Sequence, residues 1–150
     1  INIYVDASLS KKCSCVGVVY RLATHADNTI IHTATFPGGM TPNEGEMAAI
    51  VEAGLRFPLF ADQIRNVVNK ELEQVVLFTD SATCVRLLTS THSIDVNSRI
   101  GKLAKAAKCV WNELRTNKFC YGWCVQQIKR VDNLANEPAQ TSNAFWRKIL

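Results

Sequence analysis

The hydrophobic and polar residues in the first third of the chain alternate in short runs with the spacing of β-strands. Three such runs cover residues 1–7, 13–22 and 29–36, and the segments between them are short and polar. Short polar connections between strand-like runs are typical of β-hairpins. We therefore expect the chain to begin with an antiparallel meander of three strands.

A loop and a helix are predicted next. Residues 37–45 are rich in proline and glycine and lack the G-K-[ST] signature of a phosphate-binding P-loop. The helix that follows is expected to be capped by Asn43 and to end at Phe57, because the residue before a proline, here Pro58, disfavours helical backbone. Residues 58–74 fit either a short helix or a loop insertion.

Helices and strands alternate in the rest of the chain. The apolar spacing predicts, in order, a strand, two helices, a strand and a final helix at residues 75–80, 81–88, 98–115, 118–131 and 137–150. The order β-β-β-α-β-α-α-β-α is typical of an α/β fold with a mixed five-stranded sheet, three antiparallel strands followed by parallel ones, and helices on both faces. No linker or internal repeat interrupts residues 1–150, so one domain is expected.

Composition limits the function without defining it. The 150 residues suffice for one core, the hydrophobic content of 47% is that of an ordinary soluble domain, and no apolar stretch is long enough to span a bilayer. A net charge of +4 permits a nucleic-acid partner but is equally compatible with a surface that binds none. The chain starts at Ile1 rather than at a methionine, which favours a fragment of a longer polypeptide. No signal peptide is visible, so a location in the cytoplasm or nucleus is expected.

The six cysteines are expected to be reduced and mostly buried. They contain no C-x-x-C pair, and the three histidines do not accompany them at zinc-finger spacing. Reduced, buried cysteines are typical of intracellular proteins, and a disulfide between strands is the alternative.

Two of the apolar strand-like runs end in an aspartate, at Asp6 and at Asp80. Buried charge is costly, but the carboxyl ends of neighbouring parallel strands open into a crevice where their side chains meet. Glu46 shares helical spacing with apolar residues at positions 49, 50 and 53, so it is expected to face inward as well. Clustered carboxylates repel one another, and Mg²⁺, which prefers carboxylate oxygens, relieves that repulsion. The alternative for Asp80 is a simple cap of the following helix.

Four segments, in order along nearly the whole chain, resemble motifs of the ribonuclease H family. "IYVDAS" resembles the first-strand motif, "NEGEMAAIVEAGLRF" the first-helix motif and "LFTDSATCVRLL" the T-D-S motif of the fourth strand. "WCVQQIKRVDNLANEPA" is similar to the segment before the last helix, with Arg130 and Asn133 at the R-x-x-N positions. The resemblance implies an RNase H-like fold.

The resemblance also implies a nuclease that uses two metal ions, Mg²⁺ or Mn²⁺ in its place, to cut the RNA strand of an RNA–DNA hybrid. The acids that it assigns to the metals are Asp6, Glu46, Asp80 and Glu137. Gln127 stands where many family members have a catalytic histidine. Contacts with the substrate are expected at Ser8, Asn43, Ser81, Arg130 and Asn133. The lysines at 102, 105 and 108 are candidates for phosphate contacts, although an ordinary solvated helix face is the more frequent role of such residues.

Two positions depart from the family pattern. Glu137 replaces the aspartate expected four residues after Asn133, and a displacement of roughly 1.5 Å by its extra methylene can slow a reaction about a hundredfold. Asn136 is the alternative occupant, as a neutral and poorer ligand, and Gln127 cannot titrate as a histidine does.

Three interpretations are compatible with the sequence. The first is a ribonuclease H, free-standing or cut from a reverse-transcriptase polyprotein of a virus or mobile element. The second is a catalytically weak or inactive module of the same fold that binds nucleic acid or a protein partner. The third is a different nuclease or an integrase on that fold.

Overall fold

A computed structural model of the chain describes residues 1–22, 25–68, 74–90, 95 and 97–150. These residues form the strands β1 Asn2–Leu9, β2 Cys13–Leu22, β3 His25–Pro37, β4 Gln74–Thr79 and β5 Gly122–Gln127. They also form the helices α1 Pro42–Val68, α2 Ala82–Thr89, α3 Arg99–Thr116 and α4 Asn136–Ile149, with a short 3-10 turn at Arg130–Asp132. None of these described helices is both long and apolar enough to cross a membrane.

The five strands form one mixed sheet in the order β3-β2-β1-β4-β5. β2 pairs antiparallel with β1 and β3, whereas β4 runs parallel to both β1 and β5. The side chains of β2 alternate between two helical layers: Val16 and Val18 join the core that includes α1, and Gly17 faces the backbone of α4. The expected α/β fold, a mixed five-stranded sheet with helices on both faces, is therefore confirmed.

Helix α1 is longer than the sequence predicts. It passes through Pro58 instead of ending at Phe57, so the predicted end is wrong and residues 58–68 continue the helix. A proline inside a helix costs about 3 kcal/mol. Burial of Phe57 and Phe60, which are 0% and 2% exposed, offsets that cost. The rest of the ambiguous segment, residues 69–73, lies outside the described residues.

Thr41, rather than Asn43, caps α1. The Thr41 Oγ1 accepts a hydrogen bond from the Glu44 N–H at 3.3 Å, and Glu44 Oε1 accepts one from the Thr41 N–H at 2.8 Å. This reciprocal capping box places Pro42 at the first helical position, where its missing N–H costs nothing. The cap predicted at Asn43 is therefore wrong by two residues.

The strands differ from expectation mainly at their ends. β1 continues to Leu9, β3 already begins at His25, and β5 ends at Gln127, after which the chain turns at Arg130–Asp132. The six cysteines all lie in described segments and are free, so the alternative of an inter-strand disulfide is wrong. The buried ones are Cys13, Cys15, Cys84 and Cys120, as expected, whereas Cys109 is exposed.

Candidate metal centre

Asp6, Glu46 and Asp80 form one cluster. Each offers a carboxylate oxygen, and these oxygens lie within 4.8 Å of one another. Asp6 is 3% exposed and Glu46 is 7% exposed, whereas Asp80 is half-buried. Three or more acidic, histidine or cysteine side chains can share a metal ion only when they lie close together, and among the described residues this cluster is the group that meets that criterion.

The sheet brings the two aspartates together. β1 and β4 pair in parallel as far as Tyr4 and Phe78, and the same register continued by two residues puts Asp6 opposite Asp80. Asp80 directly follows the end of β4. Asp6, contrary to expectation, does not end its strand, because β1 continues alongside β2 to Leu9.

Helix α1 adds the third acid. A Cβ at Gly45 would lie 3.0 Å from the Cβ of Ala7, so the helix approaches β1 closely at this point. Glu46 Oε1 accepts a hydrogen bond from the Ala7 N–H at 3.2 Å, and its Oε2 accepts one from the Thr79 hydroxyl at 3.2 Å. The Ala7 N–H also donates to Asp6 Oδ1 at 2.9 Å, so one backbone group contacts two carboxylates.

The cluster resists full ionisation. Burial, followed by the hydrogen bond and charge of Asp6 and the charge of Asp80, raises the pKa of Glu46 to about 10. Burial and the charge of Asp6 also raise the pKa of Asp80, while the Asn133 amide and the Arg130 guanidinium act in the opposite direction. At neutral pH such a cluster takes up either a proton or a cation.

The donor set fits a hard divalent cation. All three side chains supply carboxylate oxygens, which Mg²⁺ and Mn²⁺ prefer, and among the residues that the structure describes no histidine or cysteine joins them as a zinc site would need. The acids lie on the wall of a cavity of about 660 Å³, which leaves room for water and a phosphate group. The predicted site residues on the same wall are Asn43, Ser81, Gln127 and Arg130.

The neighbouring polar residues have identifiable structural roles. Ser81 Oγ accepts from the Cys84 N–H at 3.1 Å and donates to Asn43 Oδ1 at 3.0 Å, so Ser81 caps α2. The alternative that Asp80 caps this helix is therefore wrong. Gln127 and Arg130 are exposed on the cavity wall.

Two of the residues predicted to contact substrate lie outside the cavity wall. The backbone oxygen of Ser8 accepts a hydrogen bond from Asn143 Nδ2 at 2.8 Å. Asn133 is 5% exposed, and its amide bonds to backbone groups of the protein. Substrate contact by these two residues stays a prediction.

The start of α4 presents Asn136 to the cluster. Asn136 Nδ2 donates to Asp6 Oδ2 at 2.7 Å. Glu137, the predicted fourth ligand, is exposed and lines a different, mainly apolar cavity of about 640 Å³ together with Leu134 and Phe145. Of the two candidates for the fourth position, the structure brings the neutral amide to the acids.

Three contributors to the site were missed in the sequence. Thr79 is a fully buried hydroxyl at the end of an apolar strand, directly before Asp80, and that position was a usable signal. Gly17 lies inside a strand, where glycine often marks a close backbone approach. Lys129 lines the cavity from a surface segment that carries no periodic pattern.

The strand order and the helical layers on both faces define a ribonuclease H fold, in which Asp6 of β1 and Asp80, directly after the parallel strand β4, belong to one acid cluster. No protein-family model and no curated protein matches the chain. Solved structures do, and the resemblance seen in the motifs is confirmed at the level of the fold.

The structure of RNase H1 from the halophilic archaeon Halobacterium salinarum NRC-1 matches with a TM-score of 0.63 and 17% identity, over 94% of this chain and 97% of that one. LC11-RNase H1, isolated from compost by a metagenomic approach, matches with a TM-score of 0.62 and 20% identity, over 95% of this chain and 96% of that one. The foamy viral protease-reverse transcriptase, solved in complex with RNA/DNA hybrid, has a TM-score of 0.59 and 14% identity, over 93% of this chain and 19% of that chain. At such identities the likeness establishes the fold alone.

Proposed function

We propose that this chain is a divalent-cation-dependent ribonuclease H, an endonuclease that cuts the RNA strand of RNA–DNA hybrids. The observation that carries the proposal is the set of three carboxylates within 4.8 Å of one another on the wall of a polar cavity. The fold supports it, because RNase H1 structures match nearly the whole chain. A foamy viral protein with a domain of this fold was solved in complex with RNA/DNA hybrid.

Asp6, Glu46 and Asp80 would hold Mg²⁺ or Mn²⁺, two ions in the complete site. Bound there, the ions supply an activated water and stabilise the charge that develops on the leaving oxygen. The Thr79 hydroxyl and the Ala7 N–H orient the Glu46 carboxylate before any ion binds. This prior orientation limits the reorganisation that binding requires.

The remaining residues of the cavity wall would bind the hybrid. Lys129 and Arg130 are exposed cations beside the acids, and such residues attract the phosphates of a nucleic acid. Asn43, Ser81 and Gln127 offer hydrogen bonds, which suit 2′-hydroxyl and backbone contacts rather than base recognition. Gln127 can position a group but cannot exchange a proton with it.

A catalytically weak module that binds hybrids is the second candidate. One observation favours it: the described residues contribute three acids to the cluster, and the residue that meets it from α4 is the neutral Asn136. A missing negative charge reduces the affinity for a second cation, and loss of that ion would slow the reaction.

The deciding experiment incubates the full chain with a labelled RNA–DNA hybrid in Mg²⁺, in Mn²⁺ and in EDTA. The proposal expects cuts in the RNA strand with either metal, products ending in 3′-hydroxyl and 5′-phosphate, and no cutting in EDTA. Asp80→Asn should abolish cutting. Asp132→Asn is the matched control, because Asp132 is an exposed acid of the 3-10 turn outside the cluster, and it should cut like the parent.

Tight hybrid binding by the folded protein without cutting in either metal would support the weak module instead. Cutting that persists in Asp80→Asn would show that the acid cluster is not the active centre.

A further inference from the structure

Asp6 meets different partners through its two oxygens. Asp6 Oδ1 accepts from the Ala7 N–H at 2.9 Å, and the same N–H reaches Glu46 Oε1 at 3.2 Å. Asp6 Oδ2 accepts from Asn136 Nδ2 at 2.7 Å. One oxygen therefore shares a donor with another acid, and the other oxygen meets an uncharged amide.

We infer that Asn136 occupies the fourth ligand position of the cation site, so that this chain holds one divalent cation tightly and a second one only weakly. The inference rests on the proposed function and refines it. Three ionised carboxylates leave a net negative charge after one divalent cation binds, but the second cation makes the site net positive. A fourth carboxylate would make the same pair neutral, which an amide oxygen cannot do.

The position of Asn136 is held by backbone contacts. A Cβ at Gly17 would lie 2.7 Å from the Ala135 oxygen and 3.0 Å from the Ala139 nitrogen, so α4 rests directly on β2. Gly17 is also the residue of β2 that pairs with Asp6. The first turn of α4 is therefore fixed beside the acid, and the helix cannot slide to present another residue without losing this packing.

Glu137 is directed elsewhere by the geometry of the same helix. Consecutive residues of an α-helix point about 100° apart. Since Asn136 faces Asp6, Glu137 faces the apolar cavity that it shares with Leu134 and Phe145, and it is exposed there. Bringing its carboxylate to the cluster would require α4 to rotate and to break the Asn136–Asp6 hydrogen bond.

The test measures Mn²⁺ binding to the full chain, by electron paramagnetic resonance of free Mn²⁺ and by calorimetry. The parent protein should bind one ion tightly and a second at least about tenfold more weakly. Asn136→Asp should lower the Kd of the second ion by about tenfold or more, since ligand charge sets cation affinity. Glu137→Gln should leave both constants unchanged.

Gln126→Glu is the charge control. It adds one acid at an exposed position of β5 next to the cavity but not on its wall, so it should change the second Kd by less than about threefold. An effect as large as that of Asn136→Asp would mean that overall charge, and not the fourth position, governs the second ion, and would overturn the inference. No change in the second Kd of a folded Asn136→Asp would overturn it as well.

Two further outcomes separate the inference from the proposed function. Two equally tight ions in the parent, with one lost in Glu137→Gln, would assign the fourth position to Glu137 and leave the nuclease proposal standing. That result needs only the parent and Glu137→Gln, so it decides which residue occupies the fourth position even if Asn136→Asp does not fold. A parent that binds no Mn²⁺ would overturn the proposed function and this inference together.

Discussion

Asn133 Nδ2 donates a hydrogen bond at 2.9 Å to the backbone oxygen of Val5, a residue 128 positions earlier in the chain. The Asn133 Oδ1 accepts from the Ala135 N–H at 3.1 Å. One buried amide thus fastens the beginning of α4 to β1, one residue before Asp6. This link therefore helps to position the start of α4, and with it Asn136, beside the acid cluster.

Asn133→Ala should therefore destabilise the protein and loosen the site. It leaves the Val5 oxygen and the Ala135 N–H unpaired in a buried region, which costs about 1–3 kcal/mol of unfolding free energy. Release of α4 should also weaken Mn²⁺ binding. Denaturant unfolding and Mn²⁺ titration measure the two effects.

Asn112→Ala is the matched control for this prediction. Asn112 is exposed, and its Oδ1 accepts from Trp123 Nε1 at 3.0 Å on the surface. Loss of a surface contact should change the stability by less than about 0.5 kcal/mol. Equal effects of the two substitutions would contradict a special role for Asn133.

The acids could be found in the sequence because each breaks a strong pattern. Asp6 and Asp80 follow apolar strand residues, and Glu46 interrupts an apolar helical stripe, so the cost of burying charge makes all three conspicuous. The succession of strands and helices along the chain could be predicted too, from the short polar turns and from the later alternation of strands with helices. Local patterns were sufficient because these features are local.

The identity of the residue facing Asp6 from α4 could not be found this way. A shift of one residue at the start of a helix turns a side chain by about 100°, and sequence patterns do not locate helix ends that finely. The structure shows that contacts distant in sequence fix this end, namely those of Gly17 and Asn133. The continuation of α1 through Pro58 could not be predicted for a related reason. The burial of Phe57 and Phe60 in the core outweighs the local preference of the backbone before a proline for a non-helical conformation.

The stability of the cation-free protein should fall as the pH rises. The pKa of Glu46 is about 10 in the folded protein, against 4.5 for the unperturbed group, so the folded state holds this proton more tightly than the unfolded state. The stabilisation is fully present below about pH 4.5 and is lost progressively as the pH rises towards 10. The pKa of Asp80 is shifted in the same direction. Melting temperatures in EDTA between pH 5 and pH 9 measure the slope.

Glu46→Gln should flatten that slope, because glutamine has no proton to lose. At pH 8 in EDTA the variant should melt higher than the parent, by about 2–4 °C for each kcal/mol regained. Added Mg²⁺ should stabilise the parent much more than the variant. Glu113→Gln, at an exposed position of α3, should behave like the parent. Identical pH curves for the parent and Glu46→Gln would contradict the raised pKa of Glu46.

Thr79→Val tests the hydroxyl that orients Glu46. Thr79 is fully buried, and its Oγ1 donates to Glu46 Oε2 at 3.2 Å while accepting from the Ser81 N–H at 3.1 Å. Valine keeps the shape but leaves both partners unpaired, which should cost about 1–3 kcal/mol and weaken Mn²⁺ binding. Thr79→Ser should restore both properties.

The control is Thr89→Val. Thr89 is exposed on α2, and its Oγ1 donates to the Val85 oxygen at 2.7 Å. Its loss should leave Mn²⁺ binding unchanged. Parent-like cation binding in Thr79→Val would show that Glu46 needs no orienting hydroxyl.

Gly17→Ala should displace α4 from the sheet and thereby disturb the site at a distance. The added Cβ would lie 2.7 Å from the backbone oxygen of Ala135 and 3.0 Å from the backbone nitrogen of Ala139, and backbone atoms cannot turn aside as a side chain can. Overpacking of this kind should lower the free energy of unfolding by about 1–3 kcal/mol. Because Asn133 and Asn136 move with α4, the affinity for Mn²⁺ should fall as well.

Ser14→Ala, on the same strand, separates this effect from a general disturbance of β2. Ser14 is fully buried, and its Oγ has no hydrogen-bond partner within the described part of the chain. Removing an unpaired buried hydroxyl should be neutral or slightly stabilising, with unchanged Mn²⁺ binding. Gly17→Ala and Ser14→Ala could instead unfold at the same denaturant concentration and bind Mn²⁺ equally well. That result would contradict the idea that close packing of α4 on β2 holds Asn136 against Asp6.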